Sequence, residues 1–144
     1  MSNHVDYIIY TDGASKGNPG PSSVGVAIYN GASVLLKEYF EAIGKATNNV
    51  AEYQAVIFAL KKLKALYGRK SAKESEILIN SDSKLLVEQL NGKFRLKDEK
   101  IKKLFIEIWN QKMDFKKVSF KNIPREENKK ADSLANQAFG GGLI

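Results

Sequence analysis

Four acidic side chains sit where this sequence could do chemistry. Asp12 and Asp82 close strand-like runs, in Tyr10-Thr11-Asp12-Gly13 and Asn80-Ser81-Asp82-Ser83; Glu52 lies one turn into a helical run, and Asp132 lies in the first turns of another. Each has a plainer reading taken alone. Asp12-Gly13 is a common turn dipeptide, Asp82 can cap the helix that follows, Asn49-x-x-Glu52 has capping-box spacing, and Asp132 suits a helix N-terminus as a solvated charge. These readings do not explain the set. Capping demands neither two acids at the ends of neighbouring strands nor a third beside them, and carboxylates so gathered resist ionisation unless a cation holds them. With no cysteine and a single histidine, His4, the ligands on offer are hard oxygens, which select Mg²⁺ or Mn²⁺. A group of acids with room for two such ions suits phosphoryl transfer.

The elements that must position these acids are legible in the hydrophobic pattern. VDYIIYT (5–11) reads as a strand, followed by the turn-rich Gly17-Asn18-Pro19-Gly20-Pro21. SSVGVAIYN and SVLLKEYFEA read as two more strands joined by a tight Asn30-Gly31 turn, so the opening is an antiparallel meander. From Asn49, apolar residues recur at helical spacing (Val50, Tyr53, Val56, Leu60, Leu63, Tyr67), and Gly68 opens a polar loop. EILINS reads as a short buried strand, SKLLVEQL and EKIKKLFIEIWNQKM as helices, FKKVSFKNI as a strand, and EENKKADSLANQAF as a last helix. Phe105 and Trp109 are expected in the core.

The resulting order, βββαβααβα, is an α/β fold. Strands separated by helices are normally parallel neighbours, so the first, fourth and fifth strands are expected as a parallel core extended by the meander, a five-stranded mixed sheet flanked by helices. Ligands of such sheets sit beyond the strand carboxyl ends, just after Thr11 and Ser81.

Composition narrows the partners. The 144 residues are the size of one domain, expected over 1–144 with 140–144 as a flexible or docked tail in which Phe139, Leu143 and Ile144 seek a groove. No apolar stretch approaches the roughly 20 residues of a membrane span, and the first residues lack a signal peptide's apolar segment, so a soluble cytoplasmic monomer without membrane partners is expected. A net charge of +7 favours a polyanion. Residues 93–103 hold six bases against two acids, and Phe94 between Lys93, Arg95 and Lys97 places a ring that can meet a sugar or base among cations that can meet phosphates.

Taken in order, Thr11-Asp12-Gly13-Ala14-Ser15-Lys16-Gly17-Asn18-Pro19-Gly20, Thr47-Asn48-Asn49-Val50-Ala51-Glu52, Ser81-Asp82-Ser83 and Asn128-Lys129-Lys130-Ala131-Asp132 resemble the type 1 ribonuclease H family over residues 5–138. The resemblance implies the ribonuclease H-like fold and hydrolysis of the RNA strand of RNA/DNA hybrids, with two divalent ions held by Asp12, Glu52, Asp82 and Asp132 and with 5′-phosphate and 3′-hydroxyl ends. Double-stranded RNA is a second candidate substrate. The resemblance also makes Asn18, Asn48 and Asn49 groove residues that can read a 2′-hydroxyl, and places Thr47 near a DNA-strand phosphate. Gly13, Gly17 and Gly20 are expected to let the backbone approach the nucleic acid.

Two departures from the family stand out. Many bacterial relatives carry a histidine in the loop before the last carboxylate; here Ile123-Pro124-Arg125-Glu126-Glu127-Asn128 has none, which leaves Arg125 or Glu127 in its stead and Asn128 placed to influence the metal shell or touch substrate. The link Gly92-Lys93-Phe94-Arg95-Leu96-Lys97 is too short for the basic helical protrusion of some relatives, so Lys93, Phe94 and Arg95 are the expected grip on the hybrid. The alternatives are a related nuclease of integrase or resolvase type, and a hybrid-binding module without catalysis. The Asp12-to-Gly20 loop speaks against the first, and retention of four mutually repelling acids against the second.

Overall fold

The computed structural model describes residues 4–139. Its strands are β1 (Tyr7–Ser15), β2 (Gly20–Asn30), β3 (Leu35–Ala46), β4 (Glu76–Ser81) and β5 (Lys117–Asn122). Its helices are α1 (Asn48–Lys73), α2 (Lys84–Leu90), α3 (Glu99–Lys112) and α4 (Lys129–Gln137), with a 3-10 turn over Arg125–Glu127. The five strands form one mixed sheet in the order β3-β2-β1-β4-β5. β1, β2 and β3 pair antiparallel, and β4 and β5 add to β1 in parallel. The meander and the parallel core are those implied by the hydrophobic pattern. Among the described residues no helix is long and apolar enough to cross a membrane.

The core lies between the sheet and α1, where Val50, Tyr53, Val56, Leu60 and Leu63 meet Ile9, Val26, Ile28, Ile77 and Ile79, while Ile101, Leu104 and Ile108 of α3 close the side. A buried leucine such as Leu60 contributes about 1.5–3 kcal/mol. α4 covers part of the opposite face, against β1 and β2. Opposing layers let helices deliver side chains to both sides of the strand ends.

Several local expectations are corrected. β1 does not stop at Thr11: pairing with β2 continues from Asp12↔Gly25 to Ser15↔Ser22, so Asp12-Gly13 is strand rather than turn. The β2–β3 connection is longer than a two-residue turn. Asn30 Oδ1 accepts from the N–H groups of Ala32 and Val34, and Ser33 takes the positive φ, 65°. Gly31 is needed there for space, since a Cβ would lie 2.2 Å from the Val5 carbonyl oxygen. Gly68 does leave helical geometry (φ 85°, ψ 164°), but helix resumes through Lys73 where a polar loop was expected. Phe105 packs against the core, whereas Trp109 is 55% exposed under the Lys112 ammonium; it falls on the outer face of α3 with Ile106 and Met113. Phe139 lies beneath Lys16 in a hollow with Pro19, Pro21 and Ala42. Leu143 and Ile144 lie outside the described residues.

Candidate active site

Parallel pairing ends with Thr11 opposite Ser81, so Asp12, still within β1, and Asp82, just past β4, follow as neighbours where the two strands part. Two glycines then admit the other acids. A Cβ on Gly13 would stand 2.3 Å from the Ala51 carbonyl carbon, so only glycine lets α1 sit this close, and the Gly13 N–H donates to Glu52 Oε1 at 2.9 Å. On the opposite face Gly25, paired with Asp12, would place a Cβ 2.2 Å from the Ala131 carbonyl oxygen; its bareness seats α4 and brings Asp132 to Asp12. Carboxylate oxygens of Asp12, Glu52 and Asp82 lie within 4.8 Å of one another. Asp132 stands beside this trio, its carboxyl in hydrogen-bonding reach of Asp12.

None of the simpler roles survives for the first three acids. Thr47, not Asn49, caps α1, its Oγ1 accepting from Val50 N–H at 3.2 Å, and Glu52 points to Gly13 instead of closing a capping box. Ser83, not Asp82, caps α2.

The four carboxyls line a cleft of about 550 Å³, together with the β1 backbone, Asn48 and Arg125. Burial, then the neighbouring Asp82 and Asp132 carboxylates, push the Asp12 carboxyl up from 3.8 to about 8, against the opposing charge of Arg125. Glu52 is raised well above the ordinary range by desolvation and by Asp12, against the opposing Gly13 N–H. Asp82 is raised by burial, with the Asn128 amide and Arg125 holding it down. Such a site rejects its own charge. It fits hard divalent cations, whose charge relieves the repulsion and whose preference is for oxygen donors.

A family model described as reverse transcriptase-like matches residues 10–138. LC11-RNase H1, isolated from compost by a metagenomic approach and solved in complex with an RNA/DNA hybrid, is 39% identical and superposes with a TM-score of 0.88, the match covering 96% of this chain and 99% of that one. The chain belongs to the type 1 ribonuclease H family. RNase H1 of the archaeon Halobacterium salinarum superposes with a TM-score of 0.85 at 36% identity, over 93% of this chain and 97% of the other. The bifunctional protein Rv2228c of Mycobacterium tuberculosis is 39% identical over 133 residues, 92% of this chain but 35% of that protein, so the chain spans about a third of the length of this relative.

Within the ribonuclease H framework the remaining expected residues fall in different places. Asn48 lines the cleft, and its N–H donates to Asn18 Oδ1 at 2.9 Å, tying the β1–β2 loop to the start of α1. Thr47 and Asn49 face a separate hollow with Gln89, Lys97 and Asp98, where Asn49 Oδ1 is buried without a partner. Lys93, Phe94 and Arg95 are exposed on the α2–α3 link, outside the cleft lining. Arg125 lies at the cleft. Asn128, expected among the substrate contacts, is 1% exposed and turned inward. Two of the glycines also have a role inside the fold. Gly13 and Gly20 are required by contacts within the chain, Gly20 because a Cβ would meet the Lys16 carbonyl oxygen at 2.2 Å.

Sequence reasoning overlooked two contributors. Asn136, one turn beyond Asp132, donates from Nδ2 to the Asp132 carbonyl at 3.0 Å and lines the cleft; its i,i+4 spacing was visible. Gly25 carried no signal, being one glycine in a strand until the Asp12 pairing is known.

Proposed function

We propose that this chain hydrolyses the RNA strand of RNA/DNA hybrids, acting as a cytoplasmic monomer with two divalent ions, Mg²⁺ or alternatively Mn²⁺, held by Asp12, Glu52, Asp82 and Asp132. The observation that carries the reading is the convergence of three carboxylate oxygens within 4.8 Å, with Asp132 alongside, in a family whose LC11 member is solved with an RNA/DNA hybrid. All four acids come from one chain, so no second copy is needed to complete the site.

Divalent ions bound here would supply an activated water and neutralise charge on the scissile phosphate. Water oxygen bonds to phosphorus as the bond to the 3′-oxygen breaks, and the 3′-oxygen leaves with a proton, giving 5′-phosphate and 3′-hydroxyl ends. The carboxylates hold the cations by remaining ionised together. Among the described residues Arg125 brings the one side-chain cation lining the cleft, where it can meet a phosphate and ease the carboxylate repulsion. Asn48, with Asn18 fixing its backbone, offers an amide that can both donate to and accept from a 2′-hydroxyl, the group that separates RNA from DNA. Thr47 and Asn49 flank a hollow at the helix start suited to a DNA-strand phosphate. Lys93, Phe94 and Arg95 extend the grip along the duplex.

The test is incubation with labelled RNA/DNA hybrid, double-stranded RNA and double-stranded DNA in Mg²⁺, Mn²⁺ or chelator. Hybrid cleavage that chelator abolishes is expected, and the double-stranded RNA arm decides whether that second candidate is a substrate; cleavage of double-stranded DNA, or turnover in chelator, would overturn the reading.

A further inference from the structure

We propose that Asn128 is a positioning residue that locks the three elements bearing Asp12, Asp82 and Asp132 into one register. It is buried at the end of the 3-10 turn, directly before α4. Its Nδ2 donates to the Thr11 carbonyl at 2.9 Å, one residue before Asp12. The same amide faces the Asp82 carboxylate at the end of β4. Its own carbonyl accepts the Asp132 N–H at 3.1 Å in the first turn of α4. One side chain and one carbonyl therefore touch all three acid-bearing segments, which are otherwise separated by most of the chain.

The amide orientation follows from its neighbours. Thr11 O and the Asp82 carboxylate are both acceptors, so the NH₂ group must point to them, and Oδ1 is left buried without a hydrogen-bond partner. A buried unsatisfied acceptor is costly, and its persistence fits a side chain held for its donors. Arg125 acts on Asp12 and Asp82 through its charge, whereas the Asn128 amide acts on Asp82 by hydrogen bonding and reaches the Asp12 strand through the Thr11 carbonyl. Asn128 thus acts through the carboxylates and does not meet substrate. The proposal rests on the metal-site reading given above, and deepens it.

The test compares wild type, Asn128→Ala and Asn128→Ser by Mn²⁺ titration calorimetry on substrate-free protein, and by kcat and KM on hybrid in Mg²⁺. Loss of an outer partner of a metal ligand typically costs about 10–100-fold in affinity or rate, so Asn128→Ala is expected to weaken Mn²⁺ binding and lower kcat by about that factor with KM for hybrid unchanged. Asn128→Ser keeps a donor hydroxyl and is expected to recover part of both losses; it also carries the test if the alanine variant does not fold. Wild-type Mn²⁺ affinity in a folded alanine variant, a rise in KM at constant kcat, or a serine variant no better than alanine would overturn the proposal. Calorimetry keeps the two readings separate: a wild type that binds Mn²⁺ but cuts no hybrid refutes the activity and leaves the role of Asn128 measurable.

Discussion

Replacing Asp12 by asparagine should make the metal-free protein more stable while destroying its activity. The Asp12 carboxyl is raised from 3.8 to about 8 in the folded chain, so between those values the native state holds a proton that the unfolded state releases. Stability is then present below the unfolded value and is lost as pH rises toward 8, at about 1.4 kcal/mol per unit. From pH 5 to pH 8 that amounts to about 4 kcal/mol, a cost that an uncharged asparagine of the same shape does not incur. Since about 3–4 °C of melting temperature accompanies each kcal/mol in a chain of this size, Asp12→Asn is expected to gain at least ~5 °C at pH 8 in chelator, and much less at pH 5. The assay is thermal unfolding followed by circular dichroism at both pH values, with and without Mg²⁺. Wild type should be stabilised by Mg²⁺ and the variant far less, because a ligand that binds only the folded state raises its melting point. A variant that melts below wild type at pH 8 in chelator, or a difference that does not change with pH, would refute the account of repelling carboxylates.

Gly25→Ala would drive a Cβ into the backbone of α4, 2.2 Å from Ala131 O and 2.4 Å from Ala135 N, which no side-chain movement can relieve. A destabilisation of about 1–3 kcal/mol or more is expected in chemical denaturation. Displacement of Asp132 should also cost about 100-fold in hybrid cleavage by the folded variant, and wild-type turnover would refute the role given to Gly25. Changing Lys93, Arg95 and Lys97 together to glutamine should weaken hybrid binding and reduce the slope of log affinity against log salt by about one for each phosphate no longer neutralised. An unchanged slope would remove that link from the binding surface.

Strand and helix identity were legible because burial imposes a period. Val50, Tyr53, Val56, Leu60 and Leu63 announce α1 by facing one sheet, and each proves buried. The neighbouring placement of Asp12 and Asp82 was likewise readable from two strands expected to be parallel. What escaped were contacts between residues remote in sequence. Gly25 looks like any strand glycine until α4 is seen against it, and Asn128 reads as a loop residue until the Thr11 carbonyl is seen to accept from its buried amide. Trp109 misled for a different reason: α3 needs only Ile101, Leu104 and Ile108 to seal the core, which leaves Trp109 outside with Lys112 over its ring. The Asn30-Gly31 pair misled because the asparagine side chain, not a pair of positive φ angles, organises that loop.

The central claim is that the cleft formed by Asp12, Glu52, Asp82 and Asp132 cuts RNA and spares DNA. Its most direct measurement is a hybrid carrying different labels on its two strands, digested in Mg²⁺ by wild type and by Asp12→Asn, with the termini of each product identified. Wild type should fragment the RNA strand alone and leave 5′-phosphate and 3′-hydroxyl ends, and the variant should leave both strands whole. Fragments of the DNA strand, or RNA fragments produced equally by the variant, would contradict it.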